Sequence, residues 1–441
     1  MPTLALEGTR VIEFSIGIAG PTCGRYLAHY GAEVIKIEAS RRPDSIRLYP
    51  SSWVPEDYGQ RVRSDTGPMW TEFNAGKLSA AIDVTRSEGL DIVRRLITQT
   101  DVFLVNFSAP TVAKWGLDYE AAREIKPDIV YISLPGFGNV PGPYRDYRVW
   151  GPNLGPLAGI DHLTGWPDRP ASGIASISYP DYTNGFHAFF AVLCALDYRA
   201  RTGTGQYIDM SQYEATAGCL GQFILDYVAN GTAPGRTGNR APTAAPQGVY
   251  PCRGEDRWVA ITVSQEQEWL ALCRVAGHPE WAEDDRFIDM PARQEHHDEL
   301  DELIAAWTSG QTPVAVAEQL QQAGVAAAPV EDMRDLAHDD QLEARDFWKL
   351  VEHARFGADL VSGHPIRLSD TPARFGRGGP AMGQDNDHVL KRLCGYSDEE
   401  VQKLVDQGVV EPVSAPKVRL RRPYWSWVRN IMPYLQWPDS E

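Results

Sequence analysis

Cysteine pairs at close spacing are missing from this sequence. Its six cysteines, Cys23, Cys194, Cys219, Cys252, Cys273 and Cys394, form no CxxC motif. That scatter suits neither a disulfide framework nor a zinc ribbon and points to reduced thiols in a cytoplasm. Long apolar runs are missing as well. No stretch reaches the roughly 20 residues that cross a bilayer, and the start, MPTLALEGTRVIEF, lacks the basic and apolar regions of a secretory signal. The expectation is a soluble, cytoplasmic protein. Positive charge is scarce, with 42 Lys and Arg against 59 Asp and Glu and a net charge of -17. A field of that sign repels a polyanion and excludes a general nucleic-acid binder, while leaving room for a small ligand met by local cations. The chain contains no GxxxxGK[ST], HExxH or GxSxG, the signatures of common NTPases, zinc proteases and α/β-hydrolases. Gly17, Gly20 and Gly24 do not have GxGxxG spacing, and no acidic residue is placed for a ribose, so no dinucleotide site is expected. His296 and His297 stand among Gln294, Glu295, Asp298 and Glu299, which reads as a solvated helix face; no metal is expected.

What is present is ample apolar content, 43% over 441 residues, enough for two cores. Apolar runs alternate with amphipathic stretches. Strands are expected at Thr9 to Phe14, Glu33 to Glu38, Asp101 to Asn106 and Asp128 to Leu134. Helices are expected at Pro21 to Tyr30, Glu88 to Gln99 and around Tyr119 to Ile125. Strands joined by helical crossovers make a parallel, doubly wound sheet, and ligands of such sheets sit beyond the carboxyl ends of the strands. Those ends are Phe14 to Gly20, Asn106 to Pro110 and Leu134 to Gly138.

The stretch Asn230 to Gly248, NGTAPGRTGNRAPTAAPQG, is dense in Gly, Pro, Thr and Ala and reads as a linker. It divides a large α/β part, residues 1–229, from a smaller α+β domain, 249–330, with a strand at Trp258 to Val263 and helices at Gln265 to Ala276, Glu295 to Ser309 and Pro313 to Ala323. Residues 331–441 follow, with a helical stretch at Asp387 to Gln407 and no internal repeat.

Several blocks follow one another in order: GTRVIEFSIGIAGPTCGRYLAHYGAEVIKIEA, FNAGKLSAAIDV, DVFLVNFSAPTVAKWGLDYE, DIVYISLPGFG, RTGTGQYIDMSQYEA, GRTGNRAPTAAPQGVYPC, DDQLEARDFW and GQDNDHVLKRLCGYSDEEV. Together they resemble class III CoA-transferases, the family of formyl-CoA:oxalate and carnitine CoA-transferases. The resemblance spans about residues 5 to 412. It implies a Rossmann-like large domain built from both chain ends, with residues 331–441 returning to it, a small domain from the middle, and an interlocked homodimer. It also implies an acyl-CoA and a carboxylic acid as substrates, with CoA as a substrate and no tightly bound cofactor.

In the family an aspartate carboxylate carries the acyl group as a mixed anhydride and then the CoA as a thioester. That residue precedes a Gly by four positions before an apolar helix ending in R-x-x-T-G-x-G-Q. Here the match is Asp181-Tyr-Thr-Asn-Gly185 before FHAFFAVLCALDYRARTGTGQ. From the residues alone Asp181 also reads as a helix N-cap, since it stands before a long apolar helix. Tyr179, Tyr182 and Phe186 are candidates to shield it from water. The resemblance implies CoA contacts at Lys77 and Asn74, in a block that usually reads N-x-x-K-R-S, at Lys114, where many members carry Arg, and at Arg47. It implies further contacts at the pair Asn106 and Phe107 and, near the pantetheine, at Gly136 and Phe137. Each of these pairs equally fits turn chemistry or packing.

Departures from the family are informative. Ile18 stands where some members have a Gln facing the acyl group, and Thr243 to Gln247 replace a Gly-rich loop. The resemblance therefore suggests an acid larger and less polar than oxalate. Two other readings of the same fold are an α-methylacyl-CoA racemase, whose G-H-D-x-N-Y block is here Trp150-Gly-Pro-Asn-Leu154, and an inactive subunit of a heteromer. The segment 417–441 combines Lys417, Arg419, Arg421, Arg422 and Arg429 with Tyr424, Trp425, Trp427, Tyr434 and Trp437. Pro423 and Pro433 cut short any amphipathic helix, so protein packing is expected there in preference to a membrane anchor.

Overall fold

The computed structural model describes residues 4–49, 64–174, 178–355, 357–413 and 432. The expected packing segment 417–441 thus lies, apart from Met432, outside the described residues. The chain divides into two compact units, one formed by Met1–Ile160, Ile174–Leu225 and His338–Glu441, the other by Asp161–Gly173 and Asp226–Ala337.

In the larger unit six parallel strands run in the order β3-β2-β1-β4-β5-β6. They are β1 (Arg10–Phe14), β2 (Glu33–Glu38), β3 (Leu78–Ala81), β4 (Val102–Val105), β5 (Val130–Ser133) and β6 (Tyr207–Asp209). This is the doubly wound order, and the reversal between β1 and β4 opens a crevice at their carboxyl ends. Both faces of the sheet are covered, which is why its strands are almost continuously apolar. Successive side chains alternate faces. Val11, Val34, Leu104 and Ile132 pack with Cys23 and Leu27 of α1 (Ala19–His29) and with Ala188 and Val192. Ile12, Phe14, Phe103 and Tyr131 pack on the opposite face with Ile92 and Leu96.

The end of the chain returns to this unit. Val389, Leu390, Leu404 and Val410 join the second core. Asn386 accepts from the Ala81 N–H at 2.9 Å, and Asp385 accepts from the Ser79 N–H at 2.9 Å, so the GQDN block satisfies the edge of β3. Strands Trp348–His353 and Gly357–Ser362 form a separate antiparallel pair. The expected helix Asp387 to Gln407 is two pieces, His388–Leu393 and Asp398–Asp406, parted by Gly395 at φ +74° and restarted by a capping box at Ser397 and Glu400.

The smaller unit has an antiparallel sheet of Gln247–Pro251, Trp258–Thr262 and Ala326–Pro329. It packs around Trp269, Leu272, Phe287, Ile304 and Leu320. Much of the stretch expected as a linker is held within this unit. The Ala245 carbonyl accepts from Arg293 Nε at 3.0 Å, and the Ala241 and Ala244 carbonyls accept from Gln294 Nε2. Its small side chains let neighbouring side chains reach the backbone, so low complexity here marks close packing.

Candidate active site

The site grows from the turn that follows β1. Asn106, just past β4, brackets residue 16: its Oδ1 accepts from the Ile16 N–H at 2.9 Å and its Nδ2 donates to the Ile16 carbonyl at 2.7 Å. Gly17, at φ +74°, donates its N–H to Asp44 at 2.8 Å. Asn106 therefore fixes the shape of the crevice floor, and both of its side-chain polar atoms are engaged in doing so.

Gly136, after β5, has no side chain because Val149 occupies the space; a Cβ there would collide with it. The chain then reaches Trp150, whose ring lies beside Gly17, with 56% of the residue exposed. Gly151 starts the helix Gly151–Ala158. Phe137 packs into a surface aromatic group with Tyr144 and Tyr213, tilted rings whose centroids are 5.6 and 5.8 Å away.

Asp181 is the third residue of the helix Tyr179–Thr202, whose N-cap is Ser178. The N-cap reading of Asp181 is thereby corrected: the cap lies three residues earlier, with Pro180 in the first turn. Gly185 seats this helix on α1, since a Cβ there would stand 2.6 Å from Thr22 Cβ. The Asp181 carboxylate accepts from the Ser178 hydroxyl through Oδ2. It also lies where a side chain at Gly151 would stand. Burial pushes its carboxyl up, opposed only by the Ser178 hydrogen bond. Among its possible shields, Tyr182 is half-buried in an apolar cluster and meets Phe73 at 5.5 Å, whereas Tyr179 and Phe186 are exposed. Trp150, beside Gly151, is the exposed aromatic that sequence reasoning did not connect with Asp181.

Three of the residues expected at CoA lie inside the fold. Lys77, Asn74 and Arg47 are each 0% exposed. Lys77 Nζ donates to Glu13 at 3.0 Å, to the Pro21 carbonyl at 2.9 Å and to Asn74 Oδ1 at 3.0 Å. Asn74 Nδ2 donates to the Trp70 carbonyl at 3.2 Å. Arg47 grips Glu38 through two hydrogen bonds of 2.9 and 2.7 Å, pairs with Asp65 at 2.6 Å, and lies on the Trp70 ring at 3.3 Å. With Lys36 they form a buried charge cluster whose donors face inward, closed to a phosphate. The sequence carried a signal for it: Glu13 and Lys36 are charges inside otherwise apolar strands, VIEF and VIKIE, and buried charges need partners.

Lys114 lies differently, exposed near the end of the helix Ala109–Trp115. Beside it Trp115 meets Phe107 edge-on at 5.5 Å, and the exposed Arg42, from the segment after β2, lies over the same Phe107 ring at 5.2 Å. Arg42 was missed in the sequence, where the signal was the pair Arg41-Arg42 just past a strand end. Among the described residues no three His, Cys, Asp or Glu side chains gather as for a metal ion, and no helix is long and apolar enough to cross a membrane.

A model of CoA-transferase family III matches residues 6–386. The chain is 34% identical over 409 residues to a succinyl-CoA–D-citramalate CoA-transferase of Chloroflexus aurantiacus, covering 93% of this chain and 99% of that protein. It is 31% identical over 391 residues to a succinate–glutarate CoA-transferase of Agrobacterium fabrum, covering 88% and 95%. The crystal structure of a CaiB/BaiF family protein from Brucella suis superposes with a TM-score of 0.80 at 30% identity, covering 89% of this chain and all of that one.

Proposed function

This chain belongs to CoA-transferase family III, and we propose that it moves CoA from an acyl-CoA donor to a free carboxylic acid through covalent intermediates on Asp181. The observation that carries this reading is the state of that carboxylate: largely screened from water, raised in pKa by burial, and countered by no cation among the described residues. Weak solvation leaves a carboxylate a better nucleophile.

In the first step an Asp181 oxygen bonds to the thioester carbonyl carbon and the C–S bond breaks, giving an acyl-aspartyl anhydride and CoA thiolate. The thiolate then adds to the Asp181 carboxyl carbon and expels the donor acid, leaving an aspartyl-CoA thioester. The acceptor carboxylate and the thiolate reverse these two steps, so no proton or redox partner is consumed. Among the described residues, the groups against the Asp181 carboxylate, Ser178 and Gly151, include no second base. That favours transfer over the α-proton exchange of a racemase.

Lys114 and Arg42, flanking Phe107 and Trp115, suit the phosphates and a ring of CoA. Asn106 shapes the crevice floor, and Gly136 and Phe137, just past the carboxyl end of β5, suit the pantetheine. The exposed Phe190 and Leu225 of the larger unit, both at 69%, support burial against a second copy in an interlocked homodimer. Six free cysteines suit a cytoplasmic setting.

The test is an exchange assay without ATP, with succinyl-CoA as first donor because two relatives are named for succinyl-CoA or succinate. Carboxylic acids are varied, and products are scored as new CoA thioesters by mass. Asp181→Ala is expected to lower exchange on the order of 10⁴-fold or more while remaining folded; exchange at the wild-type rate would overturn the assignment.

A further inference from the structure

The two oxygens of Asp181 are not equivalent. Oδ2 accepts from the Ser178 hydroxyl, and both Oδ2 and Ser178 Oγ fill the space that any side chain at position 151 would need. Ser178 occupies the N-cap position of its helix, yet its hydroxyl caps no backbone N–H and instead gives its proton to Asp181. Oδ1 has no hydrogen-bond partner among the described residues. Gly151 is thus the absent side chain that admits this arrangement, and Ser178 is the group that holds it.

We propose that Ser178 and Gly151 fix which oxygen of Asp181 reacts, with Oδ1 attacking and leaving at every turnover and Oδ2 kept as the carbonyl oxygen throughout. This rests on Asp181 as the nucleophile. When Oδ1 attacks the donor thioester it becomes the bridging oxygen of the anhydride. When CoA thiolate then adds to the Asp181 carboxyl carbon, a C–S bond forms, the bond to Oδ1 breaks, and Oδ1 departs within the donor acid. The acceptor acid replaces it with one of its own oxygens, which stays on Asp181 when the thiolate takes the acyl group. In both additions to the Asp181 carbon, negative charge collects on the oxygen that is not leaving. A hydroxyl already donating to Oδ2 stabilises that charge without rearranging, as an oxyanion donor must.

The arrangement is tested with an acceptor acid carrying oxygen-18 in both carboxylate oxygens. The full-length enzyme is turned over many times with unlabelled succinyl-CoA, its bound CoA is discharged with excess labelled acid, and the Asp181 peptide is weighed. One labelled oxygen is expected in the wild type, however many turnovers have passed. Two labelled oxygens would overturn the proposal, because the carboxylate would then present either oxygen to the thioester. No label in an actively exchanging enzyme would overturn the nucleophile assignment itself. Ser178→Ala is expected to keep its KM, to lose roughly 10²-fold in kcat, as removal of one oxyanion donor does, and to gain the second label. A single label in Ser178→Ala would show that the serine does not choose the oxygen. Gly151→Ala is expected to lose exchange. A Gly151→Ala protein that melts like the wild type and exchanges at the wild-type rate would overturn the role of the glycine.

Discussion

Glu13 and Asp181 are two shielded carboxylates in the same unit, and the charges around them differ. Glu13 is wholly buried in β1, where burial alone would push its pKa up. Lys77 and Lys36, at 2.9 and 3.1 Å, with a hydrogen bond from Ser15, overturn that effect and hold it below the usual carboxylate range. Asp181 is less buried, yet burial wins and its pKa rises, because only a serine hydroxyl opposes it. What separates a structural carboxylate from a reactive one here is compensation by cations more than depth. The glycines match the contrast: Gly24 makes room for Glu13 beside Lys77, and Gly151 makes room for Asp181 beside Ser178.

The comparison breaks if the two sites respond alike to loss of a charge. Lys77→Met leaves Glu13 underpaired inside the fold and is expected to lower stability by about 3–5 kcal/mol, read by denaturant unfolding. Asp181→Asn should do the opposite at neutral pH. A carboxyl whose folded pKa is raised binds more protons folded than unfolded between its two pKa values. Wild-type stability therefore falls as pH rises from the ordinary Asp value through the raised one, and Asn removes that loss. A lower melting temperature for Asp181→Asn than for wild type at pH 7 would show Asp181 to be a structural group as well.

A smaller effect sharpens the same contrast among the cations. Lys114→Ala and Arg42→Ala, both exposed, are expected to leave stability within about 0.5 kcal/mol. Each should raise the KM for the acyl-CoA roughly tenfold, the size of one lost phosphate contact. An unchanged KM in both variants would move the phosphate site elsewhere.

The contrast also explains what the sequence could and could not say. Periodicity and turn residues are local, so β1, β2, β4 and β5, with α1 and the helices Ser87–Ile97 and Tyr119–Ile125, were legible, whereas the short helices Pro68–Asn74 and Ala109–Trp115 were not. β3 and β6 were not: Leu78–Ala81 and Tyr207–Asp209 are too short and too mixed to stand out. Asp181 could be picked out because the blocks around it are distinctive, but nothing local told a nucleophile from a cap. That distinction depends on Ser178 being the cap and on Gly151, thirty positions earlier, meeting the carboxylate. Lys77 sits in an equally distinctive block, whose resemblance points to CoA. Its charge partner in the fold, Glu13, lies 64 positions away and meets it only once β1 and the segment leading into β3 are brought together. Asn106 likewise found its role through residue 16, 90 positions distant. Compensation is a long-range property, and a motif cannot carry it.

The most direct measurement is the place of the covalent adduct. The enzyme is incubated with succinyl-CoA, treated with hydroxylamine to convert an activated carboxyl into a hydroxamate, and mapped by peptide mass. The account predicts one modified peptide, carrying the hydroxamate on Asp181 and absent from Asp181→Ala. A hydroxamate on any other carboxylate, or none on Asp181 while CoA exchange proceeds, would contradict it.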